Sequence, residues 1–124
     1  MSLNKEQILA VSDATIKTVD VPEWGGAVCI RSLTGAQRDA FEKRLVSQRT
    51  KAGAVDTTGL RAYLCSLVLC DESGAPLFAE ADIPALEAKS AAALARVFDA
   101  GSALNGMAQD SVEEARADFS EAGS

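Results

Sequence analysis

Few residues in this 124-residue chain can do covalent or acid–base chemistry. Histidine is absent, which removes the commonest general base and the commonest transition-metal ligand. The three cysteines, Cys29, Cys65 and Cys70, are odd in number and lack C-x-x-C spacing. A thiol nucleophile at any of them would lack a histidine beside it. They read as buried structural thiols of a protein in a reducing, cytosolic compartment. Asp71-Glu72 and Glu113-Glu114 are adjacent carboxylates, but one pair sits in a turn sequence and the other in an acidic tail, where solvated charge accounts for both. No Walker loop, dinucleotide fingerprint, H-E-x-x-H or calcium loop occurs. The residues therefore predict no catalysis, no metal and no cofactor.

The charge points to protein partners. The net charge is −6 and the pI about 4.6, which opposes nucleic acid and anionic membrane. Residues 31–51 sum to +4, through Arg31, Arg38, Lys43, Arg44, Arg49 and Lys51 against Asp39 and Glu42, while residues 52–124 sum to −8. Such a split suits self-association or an acidic partner; a solvated helix face is the plainer account. Arg31, Arg38, Lys43 and Arg44 could meet phosphate only in a less acidic chain. No apolar run reaches the ~18 residues of a membrane span and no signal-peptide pattern opens the chain.

The elements that must position these residues follow from spacing. The length suits one domain with a true core. Aromatics are only 5%, so Ala, Leu and Val build it. Asn4 with Gln7 forms a capping box for a short helix over 4–11. The β-branched run Thr15–Val21 predicts a strand, Pro22–Gly26 a turn with glycines free to take positive φ, and Ala27–Ser32 a returning strand. Val28 and Ile30 fall on one face of it, Cys29 and Arg31 on the other. A two-stranded hairpin is marginal alone, so it packs on helices or pairs with another subunit. Thr34 with Gln37 caps a helix to about Arg49, whose apolar stripe (Ala36, Ala40, Phe41, Leu45) is thin. Thr57 or Thr58 can cap the next helix, where Leu60, Tyr63, Leu64, Leu67 and Val68 form the cleanest amphipathic face; Cys65 and Cys70 lie on the same helical pattern. Asp71–Pro76 is a turn, Leu77 and Phe78 a short extended segment or a core plug. Asp82 caps a short helix presenting Ile83 and Leu86. Ser90 caps a longer one presenting Leu94, Val97, Phe98, Gly101 and Leu104, ended by Asn105-Gly106. The fold class is α+β, mainly α: an N-terminal β-hairpin on a bundle of about four to five helices. Residues 1–109 form a single compact domain, with the hairpin over 14–33 and the helical part over 34–106. Residues 110–124 are an acidic tail or frayed helix.

Trp24, the only tryptophan, either anchors the hairpin turn onto the helices or is a part-exposed contact hot spot. It lies in the most distinctive stretch of the chain, Val21 to Glu42. A strand ends in Val19, Val21, Pro22, Glu23, Trp24, Gly25 and Gly26; Val28, Ile30, Arg31 and Leu33 follow; then Thr34, Gly35, Arg38, Asp39, Phe41 and Glu42. Looser echoes come later, at Leu67-Val68, Gly74, Pro76, Phe78, Asp82-Ile83, Leu104-Asn105-Gly106 and Val112-Glu113-Glu114-Ala115. Over roughly residues 14–120 this pattern resembles the tail assembly chaperones of long-tailed bacteriophages and prophages with non-contractile tails. Cys29 and the short acidic end depart from that pattern.

The resemblance implies a non-enzymatic morphogenesis protein. Its partners would be the long, hydrophobic, helical tape-measure protein, which such chaperones coat, and the tail-tube protein they help recruit, with no nucleic acid, membrane or small-molecule substrate. It would act in the cytoplasm of the bacterial host, be absent from the mature virion, and correspond to the shorter of two products made by a programmed frameshift. The matched motif, with hot-spot chemistry, nominates Trp24, Arg31, Leu33, Arg38 and Phe41 as partner-binding residues. Self-association through the hairpin and the 34–49 helix is expected. Two other readings use the same residues: a head–tail junction or tail-tube protein retained in the virion, and a small regulatory or antitoxin-like binding module.

Overall fold

The computed structural model describes residues 2–49, 53, 54 and 56–107. The expected acidic tail or last helix over 110–124, and part of the 51–58 loop, lie outside them. The described residues form α1 (Lys5–Ala10), β1 (Ile16–Val21), β2 (Gly26–Arg31), α2 (Gly35–Ser47), α3 (Leu60–Val68), β3 (Leu69–Cys70), α4 (Ile83–Glu87) and α5 (Ala91–Leu104). The architecture is α+β and mainly α, as the spacing predicts.

β1 and β2 make the expected antiparallel hairpin, running from Ile16↔Arg31 to Val21↔Gly26. Its turn is a single 3₁₀ turn over Pro22–Trp24, ended by Gly25 in the left-handed region at φ 74°. Only Gly25 uses a glycine's freedom here; Gly26 already belongs to β2. The proline lacks a donor, so it starts the 3₁₀ turn where no donor is needed.

A third strand was not legible in the helical pattern. The chain leaves α3 at Leu69, whose backbone is extended (φ −66°, ψ 125°). Leu69 and Cys70 then pair antiparallel with Ile30 and Cys29, giving sheet order β1-β2-β3. Cys70 is therefore a strand residue and not part of the helical face. The apolar run through Leu67, Val68 and Leu69 fits either element, and pairing with β2 decides it. The turn that follows is held by Asp71, whose carboxylate accepts from the Ser73 and Ala75 amides at 2.8 and 3.0 Å.

α3 is the central helix. Leu60, Ala62, Leu64, Cys65, Ser66 and Val68 are buried on it, so it is enclosed on more than the predicted face. It starts at Gly59, which takes φ 77° as the N-cap without a side-chain bond; Thr58 instead donates to the Asp56 carboxylate. α5 packs against α3 and the hairpin. The approach is close at Gly101, where a Cβ would lie 3.1 Å from Val68 Cγ2. The buried cluster joins Val21 and Ile30 of the sheet, Phe41 of α2, the α3 residues, Ile83 and Leu86 of α4, and Ala93, Leu94 and Val97 of α5.

Two capping boxes form as read. Asn4 Oδ1 accepts from the Gln7 amide and Thr34 Oγ1 from the Gln37 amide, with both glutamines reaching back. Ser90 caps α5. Asp82 precedes α4, but its carboxylate accepts from the Ala79 amide behind it. In α2, Ala36 and Ala40 are exposed, so the stripe narrows to Phe41, buried, and Leu45, half-buried.

Candidate functional site

Three of the nominated residues, Trp24, Leu33 and Arg38, lie at two joints that fasten the hairpin and α2 to the rest, while Arg31 bonds to Gly74 and Phe41 stacks on Tyr63. Asn105, the C-cap of α5, is the first joint. Its side-chain oxygen accepts from the Leu33 amide at 2.7 Å, its side-chain nitrogen donates to the Gly101 carbonyl at 2.9 Å, and its own carbonyl accepts from Arg38 Nη1 at 3.0 Å. The Leu33-Thr34…Arg38 block and the Leu104-Asn105-Gly106 block thus meet in space. Arg38 also pairs with Glu42 one turn along α2, Nε to Oε1 at 2.9 Å.

The hairpin turn is the second joint. Arg96 of α5 donates to both carboxylate oxygens of Glu23, at 2.8 and 3.1 Å. The Glu23 carboxyl is held below its ordinary pKa, first by its own backbone amide and then by Arg96. Trp24 is half-buried against the core, and its indole N–H is enclosed without an acceptor. Part of the Trp24 surface stays open.

Arg31 reaches across the sheet and donates to the Gly74 carbonyl at 2.7 Å. Gly74 takes φ +90°, with Ile16 Cδ1 at 3.1 Å from where a Cβ would stand. Phe41 is 5% exposed and stacks on Tyr63, ring centroids 6.2 Å apart; Arg44 covers the Tyr63 ring at 4.6 Å. Of the five nominated residues, Trp24, Arg31, Leu33 and Arg38 keep part of their surface open, and Phe41 does not. Asn105, Arg96 and Tyr63 escaped functional reading in the sequence. The Leu33–Asn105 and Glu23–Arg96 bonds span 72 and 73 residues, and no local pattern signals such partners.

Uncovered apolar surface lies elsewhere. α1 buries none of its residues, and Leu3, Ile8, Leu9 and Val11 are all more than half exposed. Val46 on α2 and Leu77 after the Asp71 turn are exposed too. Single exposed apolar residues are ordinary, whereas here four fall within nine positions.

The thiols are unlike one another. Cys65 is buried, and burial pushes its thiol up to about 12; it donates to the Leu94 carbonyl. Cys70 is also raised, by burial and then by the neighbouring Cys29. A thiol raised as far as that of Cys65 is a poor nucleophile at neutral pH. Among the described residues, no three His, Cys, Asp or Glu side chains cluster as a metal site, and no helix is long and apolar enough to cross a membrane.

Comparison with known proteins agrees with the motif. Residues 4–118 match the family model described as phage tail assembly chaperone. The fold is similar to the solved structure of the bacteriophage HK97 tail assembly chaperone, with a TM-score of 0.57 and 23% sequence identity, over 80% of this chain and 90% of that one. No curated protein matches the chain. With the family model covering nearly the whole chain, from α1 through both joints, this protein belongs to the phage tail assembly chaperone family.

Proposed function

We propose that this chaperone binds the tape-measure protein, keeps it soluble, and helps recruit tail-tube protein around it, without catalysis. The observation that carries the reading is α1 with its flanks. A short helix with Ile8 and Leu9 uncovered and flanked by uncovered Leu3 and Val11, none of them in the buried cluster, is suited to an apolar helical client. Helix-on-helix docking of this kind reads apolar anchors spaced along one face. The net charge of −6 keeps the loaded complex apart from other complexes.

In this reading Trp24, Arg31, Leu33 and Arg38 contribute the part of their surface that stays open, and Phe41 acts by holding α2 in place. The protein works in the host cytoplasm, self-associates through the hairpin and α2, and leaves before the virion is complete. Light scattering across a concentration series tests the self-association, and a strictly monomeric species at high concentration would count against it.

The direct test is co-expression with the long helical protein encoded downstream. The expected result is that this protein, insoluble alone, becomes soluble and co-purifies with the chaperone, and that Leu9→Gln weakens the effect while leaving the fold intact. A tape measure that stays insoluble beside a well-folded chaperone rejects the reading. Recovery of this chain from purified particles would move it to the class of virion components.

A further inference from the structure

Cys29 and Cys70 are 41 residues apart in the sequence and directly opposite in the sheet. Both are free thiols. Side chains of directly opposed antiparallel residues project from the same face, with Cβ atoms about 4.5–5.5 Å apart. The pair therefore stands side by side on the sheet face away from Ile30 and Leu69, which enter the core.

The kind of pair is fixed by the neighbouring bonds. On its other side Cys70 faces Pro76, flanked by Leu77 N to Leu69 O at 3.2 Å and Asp71 N to Ala75 O at 2.9 Å. Those bonds make 70/76 a non-hydrogen-bonded pair, so the amide and carbonyl of Cys70 point to β2. Ser32 N to Thr15 O at 2.9 Å sets the same alternation on the hairpin, and Cys29 points its backbone to β3. The two cysteines thus form a hydrogen-bonded pair, for which the Cα separation is about 5.5 Å, inside the range that disulfides span. Access is unequal: Cys29 is half-exposed, whereas Cys70 is covered.

We infer that Cys29 and Cys70 form a cross-strand dithiol that small-molecule disulfides convert to an intramolecular disulfide. The Cys29 thiolate attacks one sulfur of an external disulfide, forming a mixed disulfide and releasing one thiol. The Cys70 thiolate then attacks the Cys29 sulfur, the protein disulfide forms, and the second thiol leaves. The protein loses two hydrogens and the external disulfide gains them as two thiols. Cβ atoms in a disulfide sit about 3.8 Å apart, and a hydrogen-bonded pair lies at the wider end of its range, so the two Cβ atoms close by about 1.5 Å. A bond that draws strands together is reducible, and the oxidation is reversible. Once formed, it ties β3 and the Asp71–Pro76 turn to the hairpin.

The test is incubation of the full chain with oxidised glutathione under native conditions. The expected product is a monomer lighter by two hydrogens, with the Cys29 and Cys70 peptides linked in a non-reducing map. Cys65 stays titratable after denaturation, and excess thiol restores the starting mass. The oxidised form should melt higher, by on the order of 5 °C. Cys70→Ser should accumulate glutathione on Cys29, and Cys29→Ser should remain unmodified. Should either variant fail to fold, a trivalent arsenical on the unaltered chain replaces it. One arsenical bridging both thiols supports the dithiol; arsenical failing to protect Cys29 and Cys70 from alkylation overturns it. Glutathione persisting on Cys29 of the unaltered chain, or Cys29-linked dimers without the internal link, also overturns it.

Discussion

α1 and α2 begin with the same chemistry and end in opposite situations. Each opens on a capping box, Asn4 with Gln7 and Thr34 with Gln37, with hydrogen bonds between 2.8 and 3.1 Å. α1 then buries nothing. α2 sinks Phe41 against Tyr63 and is tied to Asn105 through the Leu33 amide and Arg38. A six-residue helix is far below the length at which a helix holds itself in water. The cap sets where each helix starts, and tertiary packing decides whether the rest of the fold depends on it. What separates the two is therefore packing: α2 closes the domain, and α1 leaves Ile8 and Leu9 exposed.

The sharpest way to break this contrast is to truncate one large apolar side chain in each helix. Phe41→Ala removes a buried ring from the Tyr63 stack and should cost about 3–4 kcal/mol, a large share of the ~5–15 kcal/mol total of a small domain. Leu9→Gln should leave the denaturation midpoint within ~0.5 kcal/mol of the parent, yet weaken co-solubilisation of the tape-measure protein. Chemical denaturation of the two variants checks the pair. Equal losses of stability would mean that α1 is a packed element after all.

A second, smaller effect concerns what fastens α2. Asn105→Ala strips the acceptor from the Leu33 amide and the donor from the Gly101 carbonyl. The Gly101 carbonyl keeps the Asn105 backbone N–H at 3.1 Å, so the loss falls on the part-buried Leu33 amide and should cost about 1.5 kcal/mol. In amide exchange, protection should fall at the start of α2 and the end of α5 together, with α1 unaffected. An unchanged midpoint would show that packing alone holds the joint.

How much of this was legible in the sequence depends on the range of the interaction. Features set by local, nearby pattern were: both capping boxes, the Ser90 cap, the hairpin with its Pro22 break, and the α3 face. Features set by distant partners were not. Leu69-Cys70 is too short to carry strand periodicity, and only Ile30 and Cys29 across the sheet make it one. Asn105 reads as a helix stop, and its bond to Leu33 is invisible until the chain folds. Thr58 looks like a cap, but the backbone takes φ 77° at the next residue, which only glycine adopts cheaply. The matched motif pointed to the right family, and several of its residues, Glu23, Leu33 and Arg38, build the joints. A motif whose residues serve the fold in this way does not separate residues that shape a surface from residues that touch a partner.

Removing the caps themselves gives a third contrast. Thr34→Ala should cost about 1 kcal/mol of global stability, the ordinary value of an N-cap. Asn4→Ala removes equivalent bonds, but α1 is not part of the cooperative core, so the global midpoint should not move. The change should appear as faster amide exchange over residues 5–10. A global loss at Asn4 equal to that at Thr34 would place α1 inside the cooperative unit.

The mildest test is acidification, because the groups involved are exposed and sit in turns. Three carboxyls titrate below their ordinary values: Glu23 through its own amide and Arg96, Asp56 through the Thr58 hydroxyl, and Asp71 through the Ser73 hydroxyl and the Ala75 amide. A carboxyl with a folded pKa below its unfolded one adds stability that is fully present above the unfolded pKa. That stability is lost as pH falls through the folded value. The denaturation midpoint should thus hold steady at neutral pH and decline below about pH 4. Asp71→Asn, which can no longer ionise, should lower the neutral midpoint slightly and shrink the acid decline. All three carboxyls belong to the packed part: the hairpin turn, the approach to α3, and the turn beyond β3. Acid should therefore loosen the scaffold through its turns while Asn4 and Gln7, which do not titrate, keep capping α1. An acid profile that Asp71→Asn leaves unchanged would remove that turn from the account and leave Glu23 and Asp56 to explain the slope.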